Sequence, residues 1–156
     1  MAILKIIQAK PNPAGKDKSG NNVIPAQQLA GEWIDIINEN EESVSLNDLE
    51  VYHFVYKDNR NEWEKIIVFT GSLPSKEVVR VHSGGKIPIN QMLLIDRIGA
   101  DYHVFTGKNY IWNNDRKDYP RIWNPYSKKW IDKTYYDKYP PEGVILKRKG
   151  DKLVPL

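Results

Sequence analysis

The amino-acid sequence predicts an all-β domain, either a sandwich or a barrel of antiparallel strands. Short segments rich in Val, Ile and aromatic residues recur at close spacing, and turn-forming Gly, Pro, Asn and Ser residues separate them. A chain of 156 residues without cysteine is large enough to bury a core without disulfide bonds. We therefore expect one domain, a sandwich over residues 1–140 with residues 141–156 as its C-terminal edge strand or tail.

Residues 31–53 are predicted to form the central element of this fold. Ile34 and Ile36 alternate with polar residues, which is typical of a half-buried strand whose apolar face points inward. Residues 38–43 are all polar and predict an acidic surface loop. Apolar residues return beyond this loop and mark the start of the next strand.

The other strands follow from similar apolar segments between turn signals. Residues 10–30, with three Pro and two Gly, predict a long surface loop. Residues 86–100 are also assigned as a loop, and within them residues 89–98 are compatible with either a helical turn or an irregular crossover. The predicted strands are residues 3–9, 52–56, 63–70, 78–82, 102–106 and 109–112.

The clearest local geometry is a hairpin in the C-terminal third of the chain. If residues 125–128 form its four-residue loop, two short strands pair across it and alternate residues share a face. This register places Ile122 and Ile131 toward the core and brings Trp123 and Trp130 together on the outer face. The expected cross-strand pairs are Asn124 with Lys129, Trp123 with Trp130, Ile122 with Ile131 and Arg121 with Asp132.

Charge is distributed unevenly along the chain. The net charge is +3, but residues 1–106 carry 11 basic against 14 acidic side chains, whereas residues 107–156 carry 12 against 6. We therefore expect a basic region that favours anionic partners. Because no segment approaches the roughly 20 apolar residues of a membrane span, we predict a soluble chain. Its compartment stays open, since an export signal could have been removed.

The sequence lacks the residue patterns of common catalytic and metal sites. His53, His82 and His103 are not at metal-ligand spacing, and no cysteine complements them. Ser83 directly follows His82, and adjacent strand residues point to opposite faces, so these two residues do not form a nucleophile and base. The acidic loop lacks the regular calcium-binding pattern, although calcium binding there stays open. We predict no enzymatic activity and no cofactor.

Aromatic and basic side chains interleave in the last third of the chain, which is typical of a binding surface. The rings supply stacking or anchoring contacts, and Lys and Arg supply contacts to anionic groups. For Trp112, a position in the core and a position on this surface are equally compatible with the sequence. The candidate ligand-binding residues are Lys117, Arg121, Trp123, Tyr126, Lys128, Lys129 and Trp130.

The order of several motifs resembles that of the lamin tail domain family over about residues 3–136. The most specific part is a Gly-Glu-aromatic-apolar-acid-apolar-x-Asn strand at residues 31–38, followed by Leu46 and Leu49. The chain departs from the family at Pro74-Ser75, where Gly usually follows Pro, and at two further turns that usually contain Gly, residues 115–118 and 125–128. The other matching segments are residues 6–15, 79–84 and 111–114, and Ile131-Asp132 with Tyr135 or Tyr136.

The resemblance implies an immunoglobulin-like antiparallel β-sandwich and a non-catalytic binding or scaffolding function. Since no coiled-coil heptads accompany the domain, it is similar to the free-standing bacterial-type domain rather than to a filament protein. A protein partner is implied, with nucleic acid as a second ligand class. A carbohydrate-binding sandwich module is the alternative, and the oligomeric state stays open between a monomer and weak self-association.

Overall fold

The computed structural model describes residues 4–13, 25–58 and 60–155. These ranges contain twelve strands, two short α-helices and one 3-10 turn, Ile89–Gln91. The helices are α1 (Pro25–Ala30) and α2 (Leu94–Arg97). The strands are β1 (Leu4–Lys10), β2 (Trp33–Asn38), β3 (Val44–Ser45), β4 (Glu50–Lys57), β5 (Arg60–Val68), β6 (Ser72–Leu73), β7 (Val78–His82), β8 (Tyr102–Phe105), β9 (Arg121–Asn124), β10 (Lys129–Lys133), β11 (Leu146–Lys149) and β12 (Lys152–Pro155).

The strands form two main sheets and one small one. The larger sheet has the order β12-β11-β1-β2-β7-β8, the second has the order β10-β9-β4-β5, and β3 pairs with β6. The all-β, sandwich-like prediction is confirmed at this level. The larger sheet is mixed rather than purely antiparallel, because β7 and β8 run parallel.

The apolar core lies where the two main sheets face each other. Ile34 and Ile36 on β2 are fully buried, as predicted, and they belong to the same cluster as Val51 on β4 and Ile122 on β9. Trp112 is also in this cluster, with 3% of its surface exposed. The open alternative for Trp112 is therefore resolved in favour of the core.

The opposite face of the larger sheet is polar and is covered by segment 86–100. Arg80 donates from Nε and Nη2 to the two carboxylate oxygens of Asp35, at 2.7 and 2.8 Å. Its Nη1 donates to the backbone oxygens of Asp96 and Ile98, at 3.0 and 2.8 Å. Segment 86–100, assigned as a loop with a helical turn left open, thus contains a 3-10 turn and α2. Arg80 holds the segment against the sheet.

Three predicted segments differ from the structure. Residues 109–112 form no strand, because the backbone N–H of Ile111 donates to Glu32 Oε1 at 2.7 Å instead of joining a ladder. Residues 71–75, whose Gly, Ser and Pro residues predict a turn between two strands, contain β6, which pairs with β3. Residues 25–30 of the predicted loop form α1, and residues 14–24 of that loop lie outside the described residues.

The predicted hairpin forms, but its register shifts within β10. Lys129 lies opposite Asn124 and Trp130 opposite Trp123, as predicted. A bulge then intervenes, so that Asp132 faces Ile122 and Lys133 faces Arg121. The expected Ile122–Ile131 and Arg121–Asp132 pairs are therefore wrong.

Long-range bonds to Asp132 explain this bulge. Asp132 accepts the backbone N–H of Ile6 on β1 at 2.8 Å, and it accepts from Arg148 on β11 at 2.9 and 3.2 Å. These bonds draw the carboxylate away from Arg121 and tie β10 to the larger sheet. The C-terminal segment predicted as an edge strand or tail forms the hairpin β11–β12 at that sheet's edge.

None of the helices in the described ranges is long and apolar enough to cross a membrane.

Candidate binding surface

The outer face of the four-stranded sheet carries a continuous set of aromatic side chains. Tyr52, Phe54 and Tyr56 alternate along β4, so they point to the same side of the sheet. The neighbouring strands contribute side chains to the same face, because Phe54 lies opposite Trp63 on β5 and Tyr52 lies opposite Arg121 on β9. We call this surface the aromatic face, and its rings are those of Tyr52, Phe54, Tyr56, Trp63, Tyr119, Trp123, Trp130 and Tyr135.

The rings of the aromatic face pack against one another mainly edge to face. Trp123 and Trp130 lie 4.7 Å apart between ring centroids with an interplanar angle of 63°, and Phe54 lies 4.9 Å from Trp63 at 70°. Trp63 and Trp130 are 5.8 Å apart. Such contacts favour defined ring orientations, because the positive edge of one ring meets the negative face of the next. The rings of the aromatic face are therefore held in defined orientations by their contacts with one another.

Cationic side chains lie over several of these rings. The guanidinium carbon of Arg121 is 4.0 Å from the Trp63 centroid and 4.9 Å from that of Trp130. Arg116 lies 5.1 Å from the Tyr56 ring, and Lys117 lies 5.4 Å from the Tyr135 ring. Cation–π attraction of this kind is stronger where the ring and the charge are partly shielded from water.

The candidate residues from the sequence occupy two neighbouring places. Arg121, Trp123 and Trp130 lie within the aromatic face and are half-buried. Tyr126, which is 74% exposed, lies on the hairpin turn and donates its hydroxyl to Asp48. The other candidates are Lys117, at the edge of the face over Tyr135, and Lys128 and Lys129, exposed at the hairpin turn.

Sequence reasoning missed the part of the aromatic face contributed by β4 and β5. Trp63, with 37% of its surface exposed, joins the ring of Phe54 to that of Trp130. The signal that could have revealed the β4 rings is the period-two spacing of Tyr52, Phe54 and Tyr56, which predicts three rings on one side of a strand.

Protonation of the aromatic face follows from its partial burial. Burial, together with the hydrogen bond to Glu50 at 2.8 Å, raises the pKa of Tyr52 to about 12. Burial lowers the pKa of Arg121 from its ordinary value. Tyr52 is thus a neutral hydroxyl at physiological pH, whereas Arg121 has lost part of the hydration that stabilises its charge.

A buried histidine braces the other side of the same sheet. His53 Nδ1 lies 3.0 Å from Asp118 Oδ2, and its Nε2 lies 3.1 Å from Glu64 Oε1. Burial lowers the pKa of His53, but the hydrogen bond and charge of Asp118, with those of Glu64, outweigh it and raise the pKa overall. Both ring nitrogens are occupied by carboxylates, so His53 serves as a structural tie.

Asp118 extends this tie into the loop before β9. Its carboxylate accepts the backbone N–H groups of Phe54 at 2.8 Å, Asn113 at 3.0 Å and Tyr119 at 2.8 Å. The fully buried carboxylate of Asp118 thereby holds the backbone of Tyr119 against that of Phe54, so that two residues of the aromatic face keep fixed positions relative to each other.

The other two histidines belong to the polar layer behind the larger sheet. His82 Nδ1 donates to the backbone oxygen of Ala30 at 2.6 Å, and its Nε2 lies 2.7 Å from His103 Nδ1. Burial lowers the pKa of His82 to about 3, so its ring is neutral and accepts at Nε2 from His103. Ser83 is buried and donates to Glu32, which leaves it inaccessible as a nucleophile.

Within the described ranges, no group of three or more His, Asp or Glu side chains could hold a metal ion. No protein-family model and no curated protein matches this chain. The likeness to lamin tail domains therefore stays a prediction that rests on the order of motifs in the sequence.

Proposed function

We propose that this chain is a non-catalytic binding module of the lamin tail type that engages a protein partner through the aromatic face. The observation that carries the proposal is an open sheet face on which Trp63, Trp123 and Trp130 remain partly exposed while their orientations are fixed by mutual contacts. Rigid tryptophans of this kind anchor protein interfaces, because little side-chain entropy is lost when they bind.

The proposed relation to lamin tail domains gains support from the most specific motif. Residues 31–38 include β2, which pairs with β1 on one side and β7 on the other. Leu46 and Leu49, which follow in the same motif, are both buried. An immunoglobulin-like connection of the strands is part of this proposal.

The cations that lie over the rings favour an acidic protein segment as the partner. The C-terminal third supplies Arg116, Lys117 and Arg121 beside the rings. Complementary charge accelerates association and selects among partners. A protein segment with both apolar and acidic side chains would use the rings and the cations together.

Selection from a random peptide library on the intact chain tests this proposal. The double variant Trp123→Ser and Trp130→Ser should lose binding of the selected peptides, because both anchoring rings are removed. We expect the same variant to lose about 1–3 kcal/mol of stability, since half-buried ring contacts of modest strength disappear. Thermal unfolding measures that loss.

The matched control is Tyr102→Ser, which removes a ring that is 43% exposed on β8. This variant should bind the selected peptides as well as the parent chain does. Failure to select any peptide, or failure of the double tryptophan variant to fold, would contradict the proposal.

Carbohydrate stacking, the alternative, has less support because Arg121 lies over the rings of both Trp63 and Trp130. A sugar would need to stack flat against an uncovered ring. Specific hits on a glycan array would restore this alternative. Binding of nucleic acid through charge would instead weaken steeply as salt is added.

A further inference from the structure

A groove of about 310 Å³ lies at the edge of the aromatic face and shares the rings of Tyr119 and Tyr135 with it. It forms where the start of β9, the end of β10 and the turn between β11 and β12 meet. We call it the Arg121 groove, and its lining residues are Tyr119, Arg121, Lys133, Thr134, Tyr135 and Asp151.

Half-buried Arg121 differs in the use of its Nε from Arg80 and Arg148, whose side chains are 1% and 10% exposed. The Nε of Arg80 donates to Asp35 at 2.7 Å, and the Nε of Arg148 donates to the backbone oxygen of Gly150 at 2.7 Å. The Nε of Arg121 is buried and has no hydrogen-bond partner in the described part of the chain. A buried donor without an acceptor opposes folding, so the fold retains Arg121 at a cost.

The partner that the sequence suggested for Arg121 is engaged elsewhere. The bulge in β10 directs Asp132 toward Arg148 and Ile6, and Lys133 takes the position opposite Arg121. The guanidinium lies over the rings of Trp63 and Trp130 instead. These rings shield part of the guanidinium from water, which strengthens any electrostatic contact that it makes.

We propose that the Arg121 groove binds a carboxylate group of the ligand that the aromatic face engages. This inference rests on the proposed function for its ligand, an acidic protein segment, and names the chemical group recognised within it. The guanidinium fork matches the two oxygens of a carboxylate, and Lys133 adds a second positive charge at the groove. Asp151 lines the same groove, and its negative charge repels a doubly charged phosphate more strongly than a singly charged carboxylate.

An indole carboxylate and its neutral amide form the simplest pair of probes. Indole-3-acetate and indole-3-acetamide share a ring and differ in the carboxylate, so their comparison needs no mutation. The intact chain is titrated with each compound while NMR follows the side-chain N–H signals of Arg121, Trp63 and Trp130. We expect the carboxylate to bind about tenfold more tightly, which corresponds to 1.4 kcal/mol, and to shift the Arg121 signal.

Three substitutions assign this preference to the guanidinium. Arg121→Gln should abolish the tenfold preference, and Arg121→Lys should retain part of it, because the charge remains while the planar fork is lost. Lys86→Gln is the matched control, since it removes the same charge at an exposed position in segment 86–100. This control should behave as the parent chain does.

The titrations also separate this inference from the proposed function. Equal binding of the two probes, no binding of either, tighter binding of inorganic phosphate, or an unchanged preference in both Arg121 variants would overturn the carboxylate site. If the carboxylate preference holds but the peptide selection fails, the groove binds a small carboxylate, and the proposal of a protein partner is wrong. If peptides bind the aromatic face without the preference, the proposed function stands and this inference fails.

Discussion

At the scale of single residues, His53 links the protonation of the molecule to its stability. Its folded-state pKa is raised because Asp118 and Glu64 flank the ring, so the folded state holds a proton more tightly than the unfolded state does. The resulting stabilisation is fully present below the unfolded pKa of about 6.5 and is lost as pH rises through the folded pKa. His53 thus stabilises the sheet most in mildly acidic solution.

Replacement of His53 by Gln tests this linkage. The difference in unfolding free energy between the parent chain and His53→Gln should be larger at about pH 5.5 than at about pH 8.5. Urea denaturation at the two pH values measures it. Glu64→Gln should show a weaker trend in the same direction, because Glu64 is 45% exposed whereas Asp118 is fully buried. A difference independent of pH would show that His53 contributes by packing alone.

At the scale of elements, the β9–β10 hairpin shows how far local pattern determines structure. The loop length and the first two cross-strand pairs could be predicted, because they depend on neighbouring residues. The bulge could not, because it depends on bonds from Asp132 to Ile6, 126 positions away, and to Arg148. Similarly, residues 109–112 look like a strand, yet Ile111 is held by Glu32 from a distant loop.

The candidate surface, like the hairpin, could be predicted in part from the local sequence pattern. Trp123, Trp130 and Arg121 could be identified from the hairpin alone. Trp63 could not be added, because its place depends on the pairing of β5 with β4 and on the order of strands in the sheet. Arg121 Nε has no hydrogen-bond partner in the described part of the chain because the bulge moves Asp132 away from it. The groove next to Arg121 therefore could not be predicted from the local sequence pattern either.

The bonds that Asp132 makes at the bulge predict that its substitution greatly lowers the free energy of unfolding. Asp132→Ala should cost about 2–4 kcal/mol, because the Ile6 N–H and the Arg148 guanidinium, which is 10% exposed, lose their acceptor. Asp137→Ala is the matched control, since that carboxylate is 53% exposed where it pairs with Lys152, and its loss should be much smaller. Guanidinium denaturation measures both. Equal losses would mean that Asp132 does not join the two sheets.

At the scale of the whole molecule, the larger sheet separates two different interiors. On one side, Ile34 and Ile36 meet the apolar core between the sheets. On the other side, Asp35 and Arg80 are 0% and 1% exposed and form a bidentate ion pair beneath segment 86–100. Adjacent residues of β2 therefore lie in an apolar and a polar environment, because successive side chains of a strand point to opposite faces.

This polar interior should tolerate removal of the whole ion pair better than removal of half of it. Arg80→Met should cost about 3–5 kcal/mol, because Asp35 would remain buried and charged without its partner. Adding Asp35→Leu should recover much of that loss, since an apolar pair leaves no uncompensated charge. Denaturation of both single variants and the double variant gives the coupling free energy. Additive losses would show that the two side chains stabilise the molecule independently, and that the bonds from Arg80 to Asp96 and Ile98 hold segment 86–100 without help from Asp35.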